Sequence, residues 1–180
     1  EICAAVKGMA TSVALSVDDD LQTIERMVRT VQPDVLHLCG APGIVGPDAV
    51  ADLRKSLPGV AIMQAVAVTG PEAVDEARSF EPVVDYLLLD SVDAEIPGVG
   101  AAGIVHDWEV SAAIVAAVEV PVILAGGLAP ENVADAIAAV NPWGVDSLTF
   151  TNRPTGEGGF RKDLERVGAF VAAARNAVSS

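Results

Sequence analysis

Two glycines, Gly126 and Gly127, close an apolar run over residues 120–125 and lead at once into Leu128-Ala-Pro-Glu-Asn-Val133. The run reads as a strand turning directly into a helix, with Ala129-Pro130 at the turn and Glu131 in the first helical positions. Such a junction aims free backbone N–H groups and the positive end of a helix dipole at one point. That is anion-binding geometry, with phosphate the usual guest. A tight βα turn with no guest would use the same two glycines. Asp90 ends a second apolar run after Leu87-Leu-Leu89, where apolar neighbours disfavour its charged form and raise its pKa. An N-cap or loop-organising role is the competing reading. Asp146 lies near the exit of the apolar run 144–149, a setting that also suits a buried Asp bonded to backbone. His37 and Cys39 alternate within 35–40 and therefore share a facing.

These residues need a scaffold that gathers strand ends. Apolar runs at 12–17, 35–40, 60–68, 84–90, 120–125 and 144–149 read as strands. The segments at about 18–31, 48–57, 71–80, 107–118, 128–140 and 162–176 read as helices. Asp18-Asp-Asp20 puts acids where a helix dipole favours them, Val50, Leu53 and Leu57 recur at helical spacing, and Asp107 is a plausible N-cap. Residues 1–8 read as the tail of a helix, 91–105 as a long loop, and 150–159 as a polar loop. The array repeats roughly every 25 residues with no linker or low-complexity block, which predicts a single α/β domain. Nearly all-apolar strands suit a covered parallel sheet or a barrel wall, so an open doubly wound sheet and a (β/α)8 barrel both fit. Gly98-Val-Gly-Ala-Ala-Gly103 matches G-x-G-x-x-G letter for letter. It starts well after the strand that ends at Asp90, whereas a dinucleotide fingerprint needs strand, tight turn and helix in direct succession. A glycine-rich loop over a barrel mouth is the better reading, with an ordinary solvent loop as the alternative.

The 180 residues carry a net charge of −14, with 11 Lys and Arg against 25 Asp and Glu, so nucleic acid and anionic membranes are poor partners. An anionic small substrate stays open, because local backbone dipoles can oppose the global field. Aromatics supply 4% of the chain and apolar residues 51%, so Ala, Val, Leu and Ile must build the core. No apolar run is long enough to cross a bilayer and no secretory pattern is present, which predicts a cytoplasmic protein. Cys3 and Cys39 lack metal-type spacing and are expected as reduced thiols. No metal or cofactor is expected, and the acidic charge says nothing about oligomeric state.

Four motifs occur in order: Tyr86-Leu-Leu-Leu-Asp90; a loop ending Gly103-Ile-Val-His-Asp-Trp108; Pro121-Val-Ile-Leu-Ala-Gly-Gly-Leu-Ala-Pro-Glu-Asn-Val133; and Pro142-Trp-Gly-Val-Asp146. In this order and spacing they resemble the phosphoribosylanthranilate isomerase family of tryptophan biosynthesis. The resemblance implies a (β/α)8 TIM barrel, of which about six βα units are present here, running from the third strand to the eighth. It implies an Amadori rearrangement of N-(5-phosphoribosyl)anthranilate: an acid protonates the ribose ring oxygen, the ring opens to a Schiff base, and a base takes the proton from the adjacent sugar carbon. Asp90 matches the family's general acid. Gly126, Gly127 and the backbone after Thr149 fall where the family holds phosphate, and Asp146 matches a substrate-contacting acid. His37, from the facing it shares with Cys39, is a substrate-contact candidate, with a satisfied core histidine the favoured competing reading.

The chain also departs from that pattern. The family's base is a cysteine closing the first strand, and no such strand is visible here. Cys3 has helical neighbours and reads as packing. Cys39 could face the mouth, at a position where the family usually has histidine. The first strand, first helix and second strand are expected to be missing, and a start at Glu1 rather than Met suggests a fragment. Where the family continues Val-Asp with Ser-Ser-Gly, Val145-Asp146 continues Ser-Leu-Thr-Phe150, and Phe150 could restrict the backbone's approach to phosphate. The alternative function is therefore a phosphosugar-binding barrel of the same superfamily with a different substrate or no catalysis.

Overall fold

The computed structural model describes residues 2–92, 98, 99, 105–156 and 159–178. Apart from Gly98 and Val99, the glycine pattern ending at Gly103 lies outside the described residues. The elements run α1 (Ile2–Val6), β1 (Val13–Ser16), α2 (Leu21–Val31), β2 (Val35–Leu38), α3 (Pro47–Ser56), β3 (Ala61–Ala67), α4 (Ala73–Phe80) and β4 (Tyr86–Asp90). There follow α5 (Trp108–Ala117), β5 (Val122–Leu124), α6 (Val133–Val140), β6 (Gly144–Val145), the hairpin β7 (Asn152–Pro154) and β8 (Phe160–Lys162), and α7 (Leu164–Val178). Strands β1 to β6 form one sheet in sequential order, every pair parallel. This is the wall of a (β/α)8 barrel with six strands described.

Strand pleating sorts the side chains into two cores. Leu36, Leu38, Ile62, Val66, Leu87, Leu89, Val122 and Leu124 point outward and are buried under helix residues such as Ile24, Val28, Val50, Leu53, Phe80, Ile114 and Val140. The opposite face carries Val35, Cys39, Met63, Ala65, Ala67, Leu88 and Ala125, a smaller cluster lining the barrel interior. Asp90 belongs to this inner face, because it pairs in register with Ala67 and lies two residues beyond Leu88.

Helix starts follow the capping logic. Asp20 accepts from Thr23 N at 2.9 Å ahead of α2, and Asp107 accepts from Glu109 N at 2.8 Å ahead of α5. Two expectations need correction. The chain does not enter α6 directly after the glycines: the helix begins at Val133, and Asn132 first closes a loop, accepting from Ala129 N at 2.8 Å and donating to Gly127 O at 3.1 Å. Glu131 consequently lies ahead of the helix, where it pairs with Arg166 at 2.9 Å. Residues 150–159 are not simply a loop either. A 3-10 turn, Thr149–Thr151, leads into β7, which pairs antiparallel with β8. Thr151 ties this segment down, donating to Ser147 O at 2.9 Å and accepting from Lys162 Nζ at 2.9 Å.

Candidate active site

The C-terminal ends of β4, β5 and β6 converge on one depression lined by Asp90, Gly126, Gly127, Asp146, Thr149 and Phe150, among others. Of the residues singled out in the sequence, the structure brings Asp90, Gly126, Gly127, Asp146 and Thr149 together. His37 lies elsewhere in the interior: it is buried on β2, with Nε2 3.0 Å from Cys39 Sγ.

Asp90 is largely buried, and burial pushes its carboxyl up to about 6, with the nearby charge of Asp146 acting in the same direction. Ser91 opposes this rise. Its backbone N–H donates to Asp90 Oδ1 at 2.7 Å and its hydroxyl lies 3.3 Å from the same oxygen. Both bonds fall on Oδ1, so a proton held by this carboxyl sits on Oδ2. Burial likewise raises Asp146, against the counteracting charge of Lys162. The strand ends therefore present two carboxyls that resist ionisation, one beside a pair of glycines.

Gly126 and Gly127 both adopt left-handed backbone, with φ of 79° and 64°. After Ala125 N donates to Leu89 O at 2.8 Å the ladder ends, and the amides of Gly126 and Gly127 have no acceptor among the described residues. Free donors at a strand end, without a side chain to block approach, form a concavity suited to a phosphate. The donor set is loop backbone and not the helix end expected from the sequence, because α6 starts later.

The thiol of Cys39 is pushed up to about 12, first by burial and then by the charges of Asp90 and Asp146. Burial also holds the His37 imidazole down at about 4. The pair is a neutral thiol beside a neutral ring, poorly suited to take a proton from carbon. One neighbour of the depression was missed in the sequence. His106, just ahead of α5, packs its ring against Gly126, where a Cβ would lie 2.5 Å from Nδ1. Only its place in the His-Asp-Trp motif hinted at it.

Parallel strands in sequence order, flanking helices and a depression at the C-terminal strand ends define a (β/α)8-barrel protein, the class that sites its chemistry there. Comparison with known proteins makes the assignment specific. Residues 2–151 match the family model described as N-(5′-phosphoribosyl)anthranilate (PRA) isomerase, and the chain belongs to that family. It is 39% identical over 179 residues to N-(5′-phosphoribosyl)anthranilate isomerase of Haloferax volcanii, covering 98% of this chain and 74% of that one. Against N-(5′-phosphoribosyl)anthranilate isomerase 2 of Methanosarcina mazei it is 43% identical over 129 residues, which is 72% of this chain but only 55% of the relative. Among solved structures, phosphoribosyl anthranilate isomerase from Thermococcus kodakaraensis superposes with a TM-score of 0.72 at 30% identity, over 97% of this chain and 79% of that one.

Proposed function

We propose that these residues carry the phosphate-holding and general-acid side of an isomerase acting on N-(5′-phosphoribosyl)anthranilate. The observation that carries the reading is the placement of Asp90, a half-buried carboxyl held near 6, beside the unpaired amides of Gly126 and Gly127. The amides take the substrate's phosphate and fix the ribose over Asp90. The proton on Asp90 Oδ2 passes to the ring oxygen as the C1–O bond breaks, leaving a protonated Schiff base and an Asp90 carboxylate. A base then removes the C2 proton, and the electron pair left behind moves toward the imine nitrogen to give the enolamine. That intermediate tautomerises to the aminoketose. An acid near 6 retains a useful protonated fraction around neutrality and is a stronger donor than water. Cys39 is not the base in this scheme, since its thiol stays protonated and buried.

The test is loss of substrate fluorescence on adding the full-length protein. Asp90→Asn is expected to lower kcat by about 10²- to 10⁴-fold, the range of one acid–base group. Competition by inorganic phosphate should stay within about twofold of wild type, as expected when ground-state binding is kept. Retained turnover would remove Asp90 from the acid role. Phe150 lining the depression favours a second reading, a phosphosugar-binding barrel with a different substrate. Phosphate binding without turnover of phosphoribosylanthranilate would select it.

A further inference from the structure

The depression that holds the unpaired amides carries the wrong side-chain charge for a phosphate. Asp90 and Asp146 are the ionisable side chains that line it, and both are acids. The chain as a whole adds a net charge of −14. A dianion held by backbone amides alone would sit against these carboxyls, so a cation close behind the wall decides how well it binds.

Two cations reach the backbone of that wall, and their surroundings differ. Arg166 donates from Nε to Phe150 O at 2.6 Å, but its guanidinium also pairs with Glu131 at 3.1 and 2.9 Å, which neutralises it. Lys162, at the end of β8, donates from Nζ to Thr151 Oγ1 at 2.9 Å and to Leu148 O at 3.4 Å. Neither partner is charged, and among the described residues no carboxylate lies within ion-pair distance of Nζ. The Lys162 charge is felt at Asp146, where it acts against the effect of burial.

The same bonds orient the wall. Thr151 Oγ1, which accepts from Lys162, lies 2.9 Å from Ser147 O and 3.1 Å from Leu148 O, so both carbonyls face the Lys162 side. No peptide is cis among the described residues. In a trans peptide the carbonyl and the N–H that follows point in opposite directions, so the amides of Leu148 and Thr149 face away from Lys162. Both residues line the depression, and neither amide has an acceptor among the described residues.

We propose that Lys162 is a positioning residue for the phosphate: acting through the wall, its ammonium supplies the positive charge that lets a depression lined by two acids take a dianion, and holds the carbonyls of Ser147 and Leu148 back from it. This role rests on the reading of the depression as the phosphate site. Lys162 is exposed, so its charge reaches the site through a medium that salt can screen.

Titration of the full-length protein with inorganic phosphate tests this, at about pH 8, where phosphate is largely dianionic. Lys162→Met should weaken binding about tenfold at about 0.05 M salt, the effect of one charge on a dianion a few ångströms away in a water-like medium. The gap should shrink below about threefold at about 0.5 M salt, where exposed charges are largely screened. Lys162→Gln keeps a donor for Thr151 without the charge and should behave as Lys162→Met. Lys162→Arg keeps the charge and should stay within about threefold of wild type. The Asp146 carboxyl titration, followed by ¹³C and identified through Asp146→Asn, should move to higher pH in the Met and Gln variants and hold its place in Lys162→Arg. A gap that ignores salt, a Gln variant that matches Lys162→Arg, or an Asp146 midpoint that stays put in Lys162→Met overturns the proposal. A wild type that binds phosphate no more tightly than Lys162→Met overturns this role alone, whereas a wild type that binds no phosphate overturns the site reading and this role together.

Discussion

A carboxyl that must hold a proton near neutrality has a cost when it ionises, and at Asp90 that cost is measurable as stability. Its folded value of about 6 lies above the ordinary 3.8, so the folded state binds the proton more tightly than the unfolded chain. Below the unfolded value both states are protonated and the stabilising preference is fully present; it is lost as pH rises through the folded value. Above that point the buried charge costs about 2 kcal/mol after allowance for partial exposure. Asn at this position never ionises and keeps an oxygen to accept from Ser91. Asp90→Asn is therefore expected to be more stable than wild type by about 2 kcal/mol at about pH 8 and equal to it at about pH 3, below the unfolded value. Urea melts at both pH values check this; an equal difference at the two would show that packing and not ionisation sets the effect. The same direction of shift predicts that turnover falls as pH rises through about 6, as the acid loses its proton.

At the scale of elements, the β5–α6 connection carries a comparison that separates backbone strain from crowding. Gly126 and Gly43 have the same φ, 79°, but a Cβ at Gly43 would meet nothing within 4 Å. Gly43→Ala is expected to cost about 1–2 kcal/mol for the left-handed backbone alone. Gly126→Ala carries that cost and must also displace His106 and press on Asp90, so its melting temperature should fall further and its turnover should drop. Equal losses in the two variants, read by thermal melts, would mean that the close approach is unimportant. Strands β2 to β5 were legible because their apolar runs have little competing signal, and the capping roles of Asp20 and Asp107 because a cap is a local matter. The start of α6 was not, since Asn132 spends its side chain on Ala129 N and Gly127 O and so delays the helix. The β7–β8 hairpin was hidden in charged and glycine-rich sequence, and its anchor joins residues 11 apart, Thr151 and Lys162. The close approach of His106 to Gly126 was invisible for a similar reason, as it joins residues 20 positions apart. His37, read from its facing as a substrate-contact candidate or a satisfied core histidine, is buried with Nε2 3.0 Å from Cys39 Sγ.

For the whole molecule, six strands leave a barrel wall with two edges among the described residues, at β1 and β6. The register pairs Val13 with Val35 and Leu15 with His37, so Val13 and Leu15 share the inner face of the sheet, and Val17 follows them at the same spacing just past β1. They are uncovered: Val13, Leu15 and Val17 are 51%, 57% and 56% exposed. At the other edge Trp143, stacked at a tilt 5.6 Å from Tyr86, is 67% exposed. An eight-strand wall would cover both regions, and unpaired edges beside an apolar face are templates for association. The net charge of −14 opposes association through long-range repulsion that salt screens. Produced as these 180 residues alone, the chain is expected to self-associate, and to do so more strongly at about 0.5 M salt than at about 0.05 M, where the screening length is several times longer. Light scattering coupled to size exclusion reads this directly. Replacing Leu15 and Val17 with Lys should reduce association at both salt concentrations if the uncovered β1 face drives it, and a wild-type monomer at high salt would show that the open edges are satisfied within the chain.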